Sequence, residues 1–330
     1  MYLCKRGIAM PLPIKDVLNM IVTNTLKKGA PISLPDKAAN GWARELDIPK
    51  GGETILYTSI LYQMVPYAIT STKLLEELES GAVGGVLLKL GRMVSSVFDV
   101  SKLASRVSEE EVSAQHEVLK SIARLLRGIG VSFGYLYEDE MYAGTLLYDL
   151  GRDDDFAKHA EKIVGIFKKH GVKKVITVDP HTTHILRDIY PKFVDGFDLE
   201  IENYLEILAK KDPEPKKKLN TCVTIQDPCY YARFLGIIEE PRTLLTKAGV
   251  EIKEPSRTKR LTFCCGGPIE SLSPRLSKEV AALRVKDLRN ACENSVTMCP
   301  FCYASLSRAG AGQIDVRDIS LYLYEAYGGE

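Results

Sequence analysis

Cysteine is nearly absent from the first two-thirds of this chain: Cys4 is the only one before residue 222. Long apolar runs are missing too. The longest, such as Ala82–Leu90, falls far short of the ~18–20 residues that a membrane-spanning helix needs. The N-terminus has a basic pair, Lys5-Arg6, but no apolar stretch followed by a small-residue cleavage site, so no secretory signal is expected and a cytoplasmic location follows. Neither sign of charge dominates. With 44 basic against 43 acidic residues the net charge is +1, which gives no footprint for nucleic acid or an anionic membrane as the main partner. Tryptophan occurs once, at Trp42, and histidine five times.

What the first part lacks, the last part concentrates. Cys222, Cys229, Cys264, Cys265, Cys292, Cys299 and Cys302 all fall after residue 221. An extracellular disulfide framework would need a secretory route, and cytosolic thiols stay reduced. Clustered thiols in such a chain point to metal ligation or redox chemistry.

The 330 residues are enough for two domains of ordinary size. Residues 1–50 read as an N-terminal arm with one amphipathic helix, Ile14–Leu26, and with Trp42 as its apolar anchor. Residues 51–209 and 220–330 read as two units joined by a linker at 210–219, KKDPEPKKKL, where Pro213 and Pro215 break helix and strand alike. Short β-branched runs at Thr54–Tyr57, Lys174–Val178, Cys222–Ile225 and Ser295–Met298 alternate with helical patterns at Gln115–Arg127, Asp155–His170 and Ser277–Asn290. That alternation predicts an α/β fold with a parallel sheet, flanked by helices, in each unit.

The two units look duplicated. Ala123–Val131 (ARLLRGIGV) matches Arg242–Val250 (RTLLTKAGV), and Met141–Gly144 (MYAG) takes the place of Phe263–Gly266 (FCCG). Val175–Leu186 (VITVDPHTTHIL) matches Ser295–Leu306 (SVTMCPFCYASL), aligning Asp179-Pro180 with Cys299-Pro300.

The pattern Cys229, then Cys264-Cys265-Gly266-Gly267-Pro268, then Cys299-Pro300-Phe301-Cys302 is an ordered set with gaps of similar length. Each group follows a predicted strand or sits in a loop. In a parallel sheet the carboxyl ends of the strands form one rim, so three loops can bring five thiols to one place. Thiolates suit iron–sulfur clusters and zinc. Five thiols exceed the four of a tetrahedral zinc site by one, and adjacent cysteines are awkward ligands for a single ion. Gly266 and Gly267 let the backbone approach closely and leave N–H groups for cluster sulfurs. A zinc-stapled, non-catalytic assembly protein is the alternative from another class.

This constellation resembles the cysteine-rich CCG domain of heterodisulfide reductase and of the iron–sulfur components of glycolate and lactate oxidising systems. The resemblance covers about residues 50–330. It implies one [4Fe-4S] cluster per chain, cubane or non-cubane, with Cys229, Cys264, Cys265, Cys299 and Cys302 as ligands. It also implies reduction or formation of a disulfide or sulfur-bearing thiol substrate, or else electron relay from a flavin-dependent 2-hydroxyacid dehydrogenase toward quinone. The first unit departs from the motif. Its leading cysteine position falls near Ser59, Tyr142-Ala143-Gly144 stands at the CCG place, and Asp179-Pro180-His181-Thr182 at the CPxC place, so no cluster is expected there. The ferredoxin-type motif common in the family is absent from these residues. A ferredoxin-type partner and a flavoprotein partner are implied.

Weaker candidates are His181 and His184, which with Asp179 form either a polar loop, an altered metal site, or a proton-donating pair beside substrate. Tyr142 and Tyr230 flank the expected rim. Cys222 and Cys292 read as small core residues and Cys4 as incidental. His116, His159 and His170 read as surface residues on charged helices. Lys216–Lys218 reads as a solvated linker face or, less simply, as a patch for an acidic partner.

Overall fold

The computed structural model describes residues 14–80 and 105–328, with side chains through residue 76 in the first stretch. Cys4 and the Ala82–Leu90 run lie outside the described residues.

Two parallel sheets organise the chain. The first has the order β1 (Thr54–Tyr57), β2 (Lys174–Thr177), β3 (Glu200–Asn203). The second has the order β5 (Val250–Ile252), β4 (Thr221–Gln226), β6 (Asn294–Thr297), β7 (Asp315–Asp318). The first sheet gains a partial fourth member at Gly134–Tyr135, which bridges in parallel to Ile55 and Lys50. Both sheets therefore share one topology, as the duplicated segments predict. Gly134 fits its place for lack of a side chain: a Cβ there would stand 1.8 Å from the Gly51 carbonyl oxygen.

The four strand runs read from sequence agree with β1, β2, β4 and β6 to within a residue or two at each end. The helices run somewhat longer than their apolar periodicity: Ile14–Lys28, Glu109–Gly128, Asp153–Lys169 and Pro274–Ala291. The ends are where capping, not burial, decides. Ser108 and Glu111 form a capping box that starts Glu109–Gly128 before its first inward-facing residue.

One of several apolar clusters among the described residues runs from Trp42 through Leu56, Leu119 and Ile176 to Val223, Val296 and Leu323 and so joins both halves. Trp42 is fully buried and meets Tyr135 edge-on at 5.0 Å. The helix Ile319–Leu323 and the turn after it pack against Glu109–Gly128, so the end of the second half closes over helices from the first. The linker is tied down. Lys216 and Lys217 donate backbone hydrogen bonds to the Ala326 carbonyl.

Three side-chain expectations are corrected. His116 and His159 are buried, because each turns inward to pair a ring nitrogen with a backbone carbonyl, Ala38 at 2.8 Å and Tyr142 at 2.6 Å. Charge elsewhere on their helices masked the inward face. Cys222 and Cys292 are not separate core residues; they stand together as a disulfide pair where β4 passes the start of β6, both half-buried.

Candidate metal centre

In the second sheet the chain leaves β4 toward β5 on one side and returns to β6 on the other, so β4 and β6 flank the point where strand order reverses. Ligand sites in open parallel sheets collect at the carboxyl ends of such strands. Cys229 follows β4, Cys299 follows β6, and Cys264-Cys265 follow the β5 segment. Topology thus brings together three loops that are well separated in sequence, as their spacing implied.

Each loop has a local reason for its shape. Cys229 opens a π-helical turn, Tyr230–Leu235, a wide turn often met at functional sites. Cys299 caps the helix Pro300–Ala309, whose Pro300 takes a first-turn position with no hydrogen-bonding duty. Cys302 lies one turn further along. Gly266 adopts φ +89°, a conformation that disfavours any residue with a Cβ, and a Cβ there would stand 2.5 Å from the Ser277 carbonyl oxygen. The turn points the Gly266 N–H at the Cys264 sulfur and the Gly267 N–H at the Cys265 sulfur, each 3.4 Å away.

Cys265, Cys299 and Cys302 are buried, while Cys229 and Cys264 are half-buried. Four of them, Cys229, Cys265, Cys299 and Cys302, line one cavity of about 30 Å³ with His181 and Tyr142 of the first half. Cys264 is hydrogen-bonded to Cys265 and faces outward from the same turn.

The thiols titrate as a group. Burial pushes the Cys229 thiol up to about 11, and the Cys299 and Cys265 charges add to the shift. Hydrogen bonds from Cys264 and Cys302 hold the Cys265 thiol low. Burial opposes ionisation of Cys299, but hydrogen bonds from Cys302 and His181 bring it down to about 7. Such a group accommodates some thiolates and keeps the rest protonated; cations must replace the protons for all to ligate. Among the described residues no three His, Cys, Asp or Glu side chains form a ready-made shell for a single ion. Four thiols around one cavity and a fifth on the adjoining turn, with two backbone N–H groups aimed at sulfur, suit a polynuclear cluster in their donor chemistry.

The first half supplies the facing wall. His181 is buried, hydrogen-bonds Cys299, and lies between the rings of Tyr230 at 4.4 Å and Phe301 at 4.8 Å. Burial alone would lower the pKa of this ring; the Cys299 thiolate and its hydrogen bond raise it to about 9. His184 is buried too but turns to Asp188 instead, pairing with it at 2.8 Å and packing near Tyr230 and Phe234. Asp179 caps the next helix, taking the Thr182 N–H at 2.9 Å. These three residues do not share one site: His181 alone reaches the cysteines. Tyr230 crosses to the first half, donating to the Asp149 carboxylate at 2.6 Å.

At the Ser59, Tyr142–Gly144 and Asp179–Thr182 positions of the first half, oxygen atoms stand in the equivalent corner. The Ser59 hydroxyl accepts from the Ala143 N–H at 2.7 Å, and the Tyr142 hydroxyl accepts from the Leu146 N–H at 2.7 Å.

Two features escaped the sequence reading. The buried Arg242 guanidinium holds Asp227 at 2.8 and 2.9 Å and Glu254 at 2.7 and 3.1 Å, while Asp227 also accepts the Lys259 N–H at 2.7 Å. This network straps the loop before Cys229 to the segment before Cys264. The only hint was the Asp227-Pro228 pair echoing Asp179-Pro180. The second is an apolar chamber of about 100 Å³ walled by Leu61, Met64, Leu75, Tyr142, Phe301 and Ala304. Its floor holds Glu270, ion-paired with buried Arg308; burial raises the Glu270 carboxyl to about 7. Tyr142, Gly267, Pro268 and Phe301 line both this chamber and the cysteine cavity.

Residues 223–307 match the family described as cysteine-rich domain, CCG. The EtfAB:quinone oxidoreductase of Syntrophomonas wolfei is 33% identical over 202 residues, 57% of this chain and 28% of that protein. The probable iron-sulfur-binding oxidoreductase FadF of Bacillus subtilis is 30% identical over 194 residues, 56% of this chain and 27% of FadF. A component of the dihydromethanophenazine:CoB–CoM heterodisulfide reductase of Methanosarcina acetivorans is 32% identical over 222 residues, 62% of this chain and 54% of that component. The chain thus spans between about a quarter and a half of the length of these relatives. Residues 223–307 therefore match the CCG cysteine-rich domain, and the chain is similar to iron–sulfur oxidoreductases and heterodisulfide reductase components.

Proposed function

We propose that this chain is an iron–sulfur redox subunit of a heterodisulfide-reductase-like complex, with one [4Fe-4S] cluster held by Cys229, Cys264, Cys265, Cys299 and Cys302. The observation that carries the reading is the convergence of these thiols beside one cavity at the strand-reversal point, with the Gly266 and Gly267 N–H groups turned toward sulfur. When bound, such a cluster supplies one-electron chemistry that no side chain of this site offers.

The remaining tasks fall to the protein. The glycine N–H groups stabilise negative charge on sulfur. His181 holds a proton at the ring nitrogen facing Cys299, within the cavity where a substrate sulfur would lie. Tyr142 and Phe301 exclude water from the passage between cavity and chamber. The substrate would be a disulfide or a sulfur-bearing thiol compound, and electrons would come from a ferredoxin-type partner, with a flavoprotein further upstream. In this reading the first half binds no cluster and builds the opposite wall.

A second reading is favoured by similarity to the EtfAB:quinone oxidoreductase. The chain would relay electrons from a flavin-dependent dehydrogenase acting on a 2-hydroxyacid or similar substrate toward quinone, without a sulfur substrate of its own.

The test is anaerobic expression, followed by measurement of iron, acid-labile sulfide and zinc. About four irons and four sulfides per chain, with a broad band near ~400 nm, are expected, and Cys229→Ala and Cys265→Ala should bleach that band. A colourless protein with one zinc per chain after reconstitution would overturn the redox reading in favour of an assembly protein. Reoxidation of the reduced protein by simple disulfides separates the first reading from the second.

A further inference from the structure

Among the described residues five large apolar side chains stand exposed, and three of them, Phe234, Leu261 and Leu276, lie on the segments that flank the cysteines. Leu261 is 79% exposed and Phe234 62%. They belong to one face. Arg233 donates to the Thr262 carbonyl at 2.6 Å and reaches the Arg260 carbonyl at 3.4 Å, which joins the Cys229 turn to the strip leading to Cys264. The first turn of Pro274–Ala291 lies against Gly266, so Arg275 and Leu276 border the same loop.

This face carries several arginines that no acid among the described residues neutralises directly, although Asp188, paired with His184, lies beside Phe234. Among the described residues no carboxylate pairs with Arg233, Arg257, Arg260 or Arg275; Arg257 lies instead over the Phe263 ring at 5.4 Å. The nearby acids are engaged elsewhere: Glu239 by Lys259, Glu254 by Arg242, Asp287 by Arg284 and Asp149 by Tyr230. The rim surrounds Cys229 and Cys264, the two cysteines of the site that are only half-buried. The lysine run 216–218, by contrast, is spent on internal contacts to the Gly328 carbonyl, Glu325 and the Lys247 carbonyl.

We propose that this arginine rim with its exposed Phe234, Leu261 and Leu276 is the docking face for an acidic one-electron carrier protein of the ferredoxin type. The proposal rests on the redox reading above. Exposed apolar residues ringed by unpaired positive charge suit a transient complex that forms fast and releases fast: charge steers the encounter, and a small apolar centre holds it.

The experiment uses the cluster-loaded chain and an acidic plant-type [2Fe-2S] ferredoxin as the probe, with binding measured by calorimetry at low and moderate salt. The Arg260→Glu/Arg275→Glu variant alters two side chains that pair with no acid among the described residues, so folding should be preserved; Leu261→Ala is the second variant. Binding should weaken about tenfold or more in the charge-reversed variant and again on adding salt, and should weaken in Leu261→Ala, with iron content unchanged in both. Ferredoxin affinity that is the same in all three proteins overturns the proposal. So does binding to vesicles of anionic lipid that the same variants abolish while ferredoxin fails to bind, since the rim would then be a membrane contact. A wild-type chain that contains zinc but no iron defeats the redox reading itself, and the binding data then stand apart from it.

Discussion

Replacing Arg242 by methionine tests whether the cysteine loops are held by their own ligation or by the network behind them. Met fills most of the volume of the arginine stem but leaves the Asp227 carboxylate, 2% exposed at its side chain, without its cation. Removing one partner of a buried pair costs ~3–5 kcal/mol, because the remaining charge is stranded. Two features moderate this. Glu254 is one-third exposed and regains water, and Asp227 keeps the Lys259 N–H. The lower end, about 3 kcal/mol, is therefore expected, which is a large part of a typical domain's ~5–15 kcal/mol. Urea unfolding under anaerobic conditions, followed by circular dichroism, reads the loss, and iron per chain reads the site. The midpoint should fall sharply and iron retention with it. Adding Asp227→Asn should recover part of the loss, since the stranded charge is removed. A shift under about 0.5 kcal/mol, the scatter of ordinary surface changes, would refute the argument that this network positions the cysteines.

Glu140 is buried, with Oε1 taking the Thr58 N–H and hydroxyl and Oε2 without a partner, and burial raises its carboxyl to about 8. The folded protein therefore binds a proton that the unfolded chain releases near pH 4.5. The stability this supplies is complete below that point and is lost as pH rises through about 8; Glu140→Gln should flatten the fall in melting temperature over that window, and an unchanged slope would sink the assignment. Gly266→Ala meets both a left-handed backbone and the Ser277 carbonyl oxygen at 2.5 Å. A loss of ~2–5 kcal/mol and poor iron incorporation should follow; normal stability would mean that the turn adapts. Trp42→Ala should cost ~3–5 kcal/mol if the N-terminal arm is part of the core, and thermal unfolding reads this directly.

Much of the architecture could be read from the sequence because β1, β2, β4 and β6 are short, rich in β-branched residues and mostly buried, whereas β3, β5 and β7, charged and partly exposed, were not read. Thr54–Tyr57 is correct to the residue, since Gly51-Gly52 before it and Thr58-Ser59 after it leave no room for drift. The duplicated segments foretold a topology that both sheets repeat. What could not be read was the orientation of polar residues on helices. His116 and His159 sit among charges in sequence, and only the packing shows that their rings turn inward to a carbonyl. Cys222 and Cys292, 70 residues apart, meet because β4 and β6 are neighbours, a pairing that spacing cannot reveal. That Cys229 and Cys299 come to one rim was legible because each follows a strand read from the sequence, β4 or β6; the β5 strand before Cys264 was not read. The Arg242 network was not, because arginine and aspartate are common and nothing local marks a pair that will be buried together.

The two halves share one backbone plan yet treat the same corner differently, and hydrogen bonding explains how both are stable. In the second half the turn at Cys264–Gly267 directs N–H groups at sulfur, a weak acceptor unless it is ionised. In the first half the N–H of Ala143, at the place of Cys265, meets the Ser59 hydroxyl, that of Thr182, at the place of Cys302, meets the Asp179 carboxylate, and Tyr190 donates to the Ala143 carbonyl at 3.0 Å. Oxygen acceptors close the first corner. The second corner leaves its N–H groups facing sulfur, which is a strong acceptor as thiolate, the form that hydrogen bonds from Cys264 and Cys302 favour at Cys265. One corner is closed by its own side chains, and the other presents thiols whose donor chemistry suits a cluster. The residues that join them, His181 on Cys299 and Tyr230 on Asp149, make the first half the support of the second.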